Sequence, residues 1–244
     1  MNKFNERLNM ALSDLEKHCS KFPLLQSYVQ NKEPDEIILS AIGSHLHSYY
    51  NGIEKIFEII NKETDNFSFN SDRSHSELLL VMAMKTDKRN AVISEQSKNE
   101  LSDYMKFRHF FRHSYSYDID WNKVKPLLNQ IQTNWQRVHK EIDTFRNDFV
   151  KKQTLSNFKN EFYNPISDET DFQLIKRLKT CFENYDELEK NIVEKYLHSQ
   201  GATSEKELPN VLRKITSGTE KEKPTKSRTK NPSLSDWHTL YTKK

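Results

Sequence analysis

The sequence has few of the residues that nucleotide-binding folds and disulfide scaffolds require. Its 244 residues include only four glycines, too scattered for a GxGxxG turn or a Walker A loop, which excludes most nucleotide-binding α/β folds. Cys19 and Cys181 stand alone, so neither a disulfide framework nor a thiolate zinc site is expected, and a reducing compartment is the default. The longest apolar run, Leu78–Met84, is far shorter than the roughly 20 residues of a membrane span, and the charge from Lys3 onward argues against a secretory signal. We expect a cytoplasmic protein without a membrane partner.

Helical periodicity is what the sequence has in abundance. Apolar residues recur at spacings of three and four near the amino terminus. A longer stripe, typical of one face of a long helix, consists of Ile38, Ile42, Leu46, Tyr49, Ile53, Ile56 and Ile60. Asp35 is a suitable N-cap for that helix, and Gly52 within it indicates the close approach of another element. The pattern predicts an all-α fold.

Further helices are predicted after a polar loop at 61–74. A short, very apolar helix over Glu77–Lys85 is expected to be fully buried, and a helix over 94–112 follows it. The next helix runs over about 120–149. Pro126 lies several residues inside that helix and predicts a kink or a short separate first turn.

The composition changes after residue 150, and the sequence predicts four parts. A helical domain over 1–150 is followed by a helical extension over 151–216, a disordered basic segment over 217–233 and a short docking element over 234–244. Residues 213–244 hold nine basic and three acidic side chains, a balance that permits a nucleic-acid partner without requiring one.

Within the extension, Thr154–Pro165 is predicted to be irregular. One helix is expected over 167–200, ended by Gly201, and a capping-box pattern predicts a short helix over 204–215. The apolar residues around Trp237 follow a tether without apolar anchors, which is typical of a short element that docks on another protein.

The stretch KFRHFFRHSYSY at 106–117 concentrates cations, imidazoles and phenols at a predicted helix end. The planar fork of donors on arginine suits a phosphate, and histidine exchanges protons near neutral pH. Together, with no metal and no other cofactor, these groups support cleavage of a phosphodiester by the 2′-hydroxyl of RNA. DNA lacks that hydroxyl, so no DNA specificity is expected.

The spacing Arg108-x4-His113-x-Tyr115 resembles the R-x4-6-H-x-Y signature of HEPN-superfamily ribonuclease toxins of the HepT type. A chain of this composition contains the full spacing by chance roughly 0.015 times, so the motif is moderately specific. The flanking sequence is similar too, through HLHSYYNGIEKIFEII (45–60), HSELLLVMA (75–83) and YMKFRHFFRHSYSYDIDW (104–121). The resemblance covers about residues 1–148.

This resemblance implies the toxin component of a toxin–antitoxin system, folded as an antiparallel HEPN-like helical bundle. Arg108 would stabilise the scissile phosphate, His113 would be the general acid/base, and Arg112 is a candidate RNA contact. The enzyme would be a metal-independent endoribonuclease that acts on RNA, with tRNA one possible target, and leaves a 2′,3′-cyclic phosphate. Its partner would be a nucleotidyltransferase antitoxin that transfers AMP to Tyr115.

Helical geometry constrains how the two catalytic candidates meet. A helix turns 100° per residue, so Arg108 and His113 lie about 140° apart on an unbroken helix. They line one pocket only where the helix ends, or across a groove shared with a second chain. The resemblance implies the second arrangement, a homodimer with one composite cleft.

Other functions stay open at this point. A HEPN dimer without catalytic activity would be a module that binds RNA or a partner protein. A third hypothesis is an interaction scaffold that acts through the element around Trp237.

Several polar residues also have plainer interpretations. Without the family resemblance, Arg108 and Arg112 read as one solvated helix face. His109 and His113 have the i, i+4 spacing of a zinc pair, but HFFRH lacks the glutamate of HExxH, so no metal site is predicted. A polar residue on a neighbouring helix often faces such a cleft, which is one interpretation of Glu54, but the residue is expected at the surface.

Overall fold

The computed structural model describes residues 3–30, 32–69, 74–113, 119–163 and 168–218. These residues form nine α-helices and contain no β-strand, which confirms the predicted all-α class. The helices are α1 (Lys3–Cys19), α2 (Phe22–Tyr28), α3 (Glu36–Glu63), α4 (Ser74–Ala83), α5 (Glu95–His113), α6 (Trp121–Phe162), α7 (Asp171–Asn184), α8 (Glu187–Ser199) and α9 (Leu208–Thr216). The chain divides into two compact units between Asn147 and Asp148, a boundary inside α6. None of the described helices is both long enough and apolar enough to span a bilayer.

Helix α3 is the central element of the first unit, and α1, α4 and α5 all pack against it. The Asp35 carboxylate accepts a hydrogen bond from the Ile38 amide at 2.9 Å, so the predicted N-cap is confirmed. The largest fully buried side chains of this unit are Leu8, Phe22, Ile42, Leu46, Tyr49, Tyr50, Ile53, Ile56, Phe57 and Tyr104. The long stripe read from the sequence is therefore core from Ile42 to Ile60, and Ile38 at its start is half-buried.

Two glycines let neighbouring helices approach α3 closely. A Cβ atom on Gly52 would lie 2.7 Å from Leu15 Cδ1 of α1, which confirms the predicted close approach. A Cβ atom on Gly43 would lie 2.7 Å from Phe111 Cε2 of α5. A larger residue at either position would displace the side chain of Leu15 or Phe111, so both glycines permit this close packing.

Buried hydrogen bonds fix the register of α3, α5 and α6. The Tyr49 hydroxyl donates to Asn134 Oδ1 at 2.6 Å, and the Tyr104 hydroxyl donates to the Leu127 carbonyl at 2.9 Å. The Asn134 amide in turn donates to Glu100 Oε2 at 2.8 Å. Such bonds are lost if one helix slides along another, so they select one arrangement of the bundle.

An arginine also closes the segment between α4 and α5. Arg89 Nε donates to Asp65 Oδ2 at 2.6 Å, and both side chains are 1% exposed. The remaining nitrogens of Arg89 donate to backbone carbonyls of Val81, Met84 and Asn90 at 3.0 to 3.2 Å. This pair ties the end of α3 to the end of α4.

Three expectations for the first unit differ from the structure. The sequence did not predict α2, a two-turn helix with a proline in its first turn. Helix α4 is not fully buried, because Leu80 is 49% exposed while Leu78, Leu79 and Met82 are core. Helix α6 is continuous across Pro126, which excludes the separate first turn, and the kink stays a prediction.

The second unit has its own apolar core, built from the end of α6 and from α7, α8 and α9. Its buried residues are Phe158, Phe162, Leu174, Leu178, Cys181, Val193, Leu197, Ala202, Leu208, Val211, Leu212 and Ile215. Capping boxes begin α7 at Thr170 and α8 at Asp186, which satisfies the amide groups at both helix starts.

The sequence misjudged three local features of this unit. Thr154–Pro165 was expected to be irregular, but α6 continues to Phe162 because Phe158 and Phe162 lie on its buried face. The single helix expected over 167–200 is two helices, since Asp186 starts a new capping box. The last helix begins at Leu208, where Pro209 fits the first turn. The predicted basic segment from residue 219 and the element around Trp237 lie outside the described residues.

Candidate functional site

Arg108, the motif arginine, is buried on the face of α5 that packs against α3. The residue is 8% exposed. Its Nε donates to Asn51 Oδ1 at 2.5 Å, and its Nη2 lies 3.1 Å from Glu54 Oε2. The interpretation of Arg108 as part of a solvated face is therefore wrong.

Asn51 and Glu54 are three residues apart on α3, so their side chains share one face and reach Arg108 together. Glu54 was expected at the surface and is instead 7% exposed. The reason is that α3 has neighbours on several sides at this level, and its residues from Ile53 to Ile60 are mostly buried. A buried carboxylate needs a partner, and Arg108 supplies the charge.

Two histidines complete the arrangement. His75 of α4 bonds through Nδ1 to Glu54 Oε1, the oxygen that Arg108 does not contact. His47, one turn before Asn51 on α3, lies with Nε2 2.9 Å from Asn51 Nδ2. We call His47, Asn51, Glu54, His75 and Arg108 the Arg108 cluster. It links α3, α4 and α5 by side-chain hydrogen bonds.

Burial and neighbouring charges shift the pKa values of groups in and beside the Arg108 cluster. Burial lowers the pKa of His47, and the positive charges of Arg108 and Arg112 lower it further. Burial raises the pKa of the Glu58 carboxyl, as does the charge of Glu54, while His75 and Arg108 act in the opposite direction. His47 is therefore a neutral imidazole near pH 7.

His113 is the last residue of α5 and is exposed, as is Arg112 beside it. The His113 ring lies 4.9 Å from that of His109, one turn earlier. Because α5 is continuous through His113, Arg108 and His113 project about 140° apart, one into the bundle and one into solvent. One chain does not bring the two motif residues together. Tyr115 lies outside the described residues.

No group of three or more His, Cys, Asp or Glu side chains suited to a metal ion occurs within the described ranges. The second pair of half-buried histidines in the first unit combines ring stacking with a polar contact, since His18 Nε2 lies 2.9 Å from the His45 carbonyl oxygen. His18 and His45 stack with their ring centroids 4.9 Å apart, and both lie against Phe22. This position at the edge of the core is separate from the Arg108 cluster.

Comparison with protein families relates most of the first unit to known proteins. A family model described as HepT-like protein matches residues 41–149. This part of the chain belongs to the HepT-like family. The HepT-like segment contains the whole Arg108 cluster together with Arg112 and His113. No curated protein and no solved structure gives a significant match to the chain.

Sequence reasoning identified Arg108 through its motif but missed the other four members of the cluster. A signal for three of them was present, because His47, Asn51 and Glu54 lie at i, i+4 and i+7. Polar residues at that spacing form one stripe along a helix, so the three side chains share a face. His75 carries no such signal, because only the packing of α4 brings it to Glu54.

Proposed function

We propose that the chain is the toxin of a HEPN/nucleotidyltransferase toxin–antitoxin system and acts as a metal-independent endoribonuclease. The observation that carries this proposal is the HepT-like match over 41–149, which includes the Arg108-x4-His113 motif with its arginine held in a buried polar cluster. The substrate is RNA, with tRNA one candidate. The reducing compartment inferred from the isolated cysteines is the cytoplasm.

The proposed reaction needs a base, an acid and a cation at the phosphate. His113 removes the proton from a 2′-hydroxyl, whose oxygen attacks the adjacent phosphorus and forms the 2′-O–P bond. The P–O5′ bond breaks, and the departing 5′-oxygen receives a proton from the His113 imidazolium formed in the first step. Arg108 offsets the charge that builds on the phosphate oxygens, and Arg112 binds a neighbouring phosphate. The product carries a 2′,3′-cyclic phosphate.

A homodimer would unite these groups. In a single chain Arg108 and His113 point in different directions from α5, so one helix alone does not form the site. Two chains that face each other through α5 would place His113 of one opposite the Arg108 cluster of the other. We include this dimer in the proposal.

Regulation would come from a nucleotidyltransferase antitoxin. The Tyr115 hydroxyl would attack the α-phosphate of a nucleoside triphosphate, and pyrophosphate would leave as AMP is transferred. Tyr115 follows His113 by two residues in the sequence, so the added phosphate would lie near the catalytic histidine and compete with RNA.

The test is inducible expression in bacteria of the wild type beside His113→Ala. Wild type is expected to arrest growth and to generate cyclic-phosphate RNA ends, and His113→Ala is expected to lose about 10²- to 10⁴-fold in cleavage rate. His109→Ala is the matched control, because His109 is an exposed histidine one turn earlier on the same helix. It should cleave like the wild type.

Intact RNA in every strain would contradict the ribonuclease and favour the alternative, a HEPN dimer that only binds RNA or a partner protein. One observation gives this alternative weight: the Arg108 charge is already offset by Glu54 within the chain. RNA binding that is equal in the wild type, Arg108→Ala and His113→Ala would establish it.

A further inference from the structure

The hydrogen bonds of the Arg108 cluster have a fixed direction. An arginine side chain only donates, so the oxygen of the Asn51 amide must be the atom that accepts from Arg108 Nε. The NH2 group of Asn51 therefore faces His47, and His47 Nε2 must accept. The direction runs from Arg108 through Asn51 to His47.

This direction determines the protonation state that His47 can have. A neutral imidazole that accepts at Nε2 carries its proton on Nδ1. An imidazolium would point an N–H at the Asn51 NH2 group and break the bond. The charged groups that act on His47 in the described part of the chain are Arg108 and Arg112 of α5, and both oppose a second positive charge.

Within the described residues, the side chain of His47 makes its hydrogen bond to Asn51. Its Nδ1 is buried and meets no partner among the described residues, and its ring lies 5.4 Å from that of Phe111. If the His47 side chain only filled this space, an apolar residue of similar size would fill it equally well.

We propose that His47 is a positioning residue, which through Asn51 holds the guanidinium of Arg108 in the orientation needed to bind the scissile phosphate. The catalytic consequence rests on the ribonuclease function proposed above, whereas the hydrogen-bond consequence does not. The group that orients Arg108 is thus an imidazole on α3, and it lies outside the sequence motif on α5.

Two substitutions separate this role from simple packing. His47→Gln keeps an oxygen that accepts from Asn51 but does not titrate, whereas His47→Leu keeps the apolar contact with Phe111 and removes the acceptor. His45→Leu is the matched control, since His45 is a half-buried histidine on another face of the same helix. Thermal unfolding of the full-length variants checks that each one folds.

The kinetic test compares kcat and KM of the full-length proteins on RNA. His47→Leu is expected to lose about 10- to 100-fold in kcat through misorientation of Arg108, and His47→Gln is expected to stay within about threefold of wild type. On the acid side, log kcat of the wild type should fall with a slope of roughly two, against roughly one for His47→Gln. An unchanged kcat in His47→Leu would overturn the proposal.

A spectroscopic test decides the hydrogen-bond part of the proposal even if the wild type cleaves no RNA. Nitrogen-15 NMR of the full chain should show His47 protonated on Nδ1, and the Arg108 Nε–H signal should keep its position in His47→Gln. In His47→Leu that signal should shift or broaden through exchange with water. A proton on Nε2 of His47, or an Arg108 signal unaffected by His47→Leu, would refute the inference.

Discussion

Two buried arginines of the first unit are held in different ways. The side chains of Arg89 and Asp65 are 1% exposed, and the other bonds of Arg89 go to backbone carbonyls. The side chains of Arg108 and Glu54 are 9% exposed, and the bonds of Arg108 go to side chains. Backbone carbonyls cannot titrate. The two partners of Arg108, in contrast, each contact a histidine, which can.

The difference separates a structural arginine from a candidate functional one. Arg89 is closed off by groups whose positions the fold already fixes, so nothing short of local unfolding releases it. Arg108 is held by an amide and a carboxylate that are themselves held by imidazoles. A bound phosphate or a change of pH can therefore alter the environment of Arg108 while the bundle stays folded.

The largest expected effect is the loss of the structural arginine. Arg89→Ala leaves Asp65 buried without its charge partner and should lower the free energy of unfolding by about 3–5 kcal/mol. Arg108→Ala should cost less, about 1–3 kcal/mol, because Glu54 keeps its bond to His75. Urea denaturation of the two variants side by side measures both values. Equal losses would remove the distinction between the two arginines.

The next effect concerns the carboxylate that offsets Arg108. Glu54→Gln keeps an oxygen for Arg108 but removes the negative charge, which should lower the free energy of unfolding by about 1–3 kcal/mol. The same change should strengthen RNA binding about fivefold at low salt, because a charge that repels phosphate is gone. Fluorescence anisotropy with labelled RNA, in a His113→Ala background that prevents cleavage, measures the affinity.

Glu58→Gln is the matched control for that experiment, one turn further along α3 and more exposed. It should change RNA binding less than Glu54→Gln does. Weaker binding in Glu54→Gln would mean that the carboxylate orients Arg108 more than it neutralises it.

The smallest effect is a pH dependence confined to one of the two regions. The pKa of His47 is lowered in the fold, so its contribution to stability is full above its unfolded pKa of about 6.5 and is lost as the pH falls through the folded value. Amide-exchange protection around Asn51 should decrease between pH 7 and pH 5, while protection around Arg89 holds. His47→Gln should abolish the decrease. An equal loss of protection around Asn51 and around Arg89 would contradict the proposed difference between the two arginines.

Periodicity was sufficient for most of the fold because the helices of the first unit have regular apolar stripes. It failed where another signal decided the structure. Helix α6 continues past Thr154 although the segment is rich in polar residues, because the two phenylalanines at 158 and 162 are enough to bury one face. The division between α7 and α8 has a local signal, the capping box of Asp186 and Glu189, which the continuous apolar period conceals.

The site was less predictable than the fold. The motif identifies Arg108, but whether an arginine is buried depends on which helices pack around it. Glu54 seemed a surface residue because a stripe of isoleucines accounts for only one face of α3, and the other faces are covered by tertiary contacts. His75 comes from α4, and no spacing in the sequence relates it to Glu54. The burial of Arg108 and Glu54 and the pairing with His75 depend on contacts between helices, which the spacing of residues in the sequence does not show.

The position of Asn51 directly before Gly52 has a consequence for how the protein ages. An asparagine followed by a glycine, which has no side chain to hinder the reaction, is prone to deamidation, since the next backbone nitrogen can attack the side-chain carbonyl. Inside α3 that nitrogen is held in helical geometry away from the attack. Deamidation would turn Asn51 into a carboxylate, which has no proton to donate to His47. Helix α3 thus orients Arg108 through Asn51 and also protects Asn51 from this chemical change.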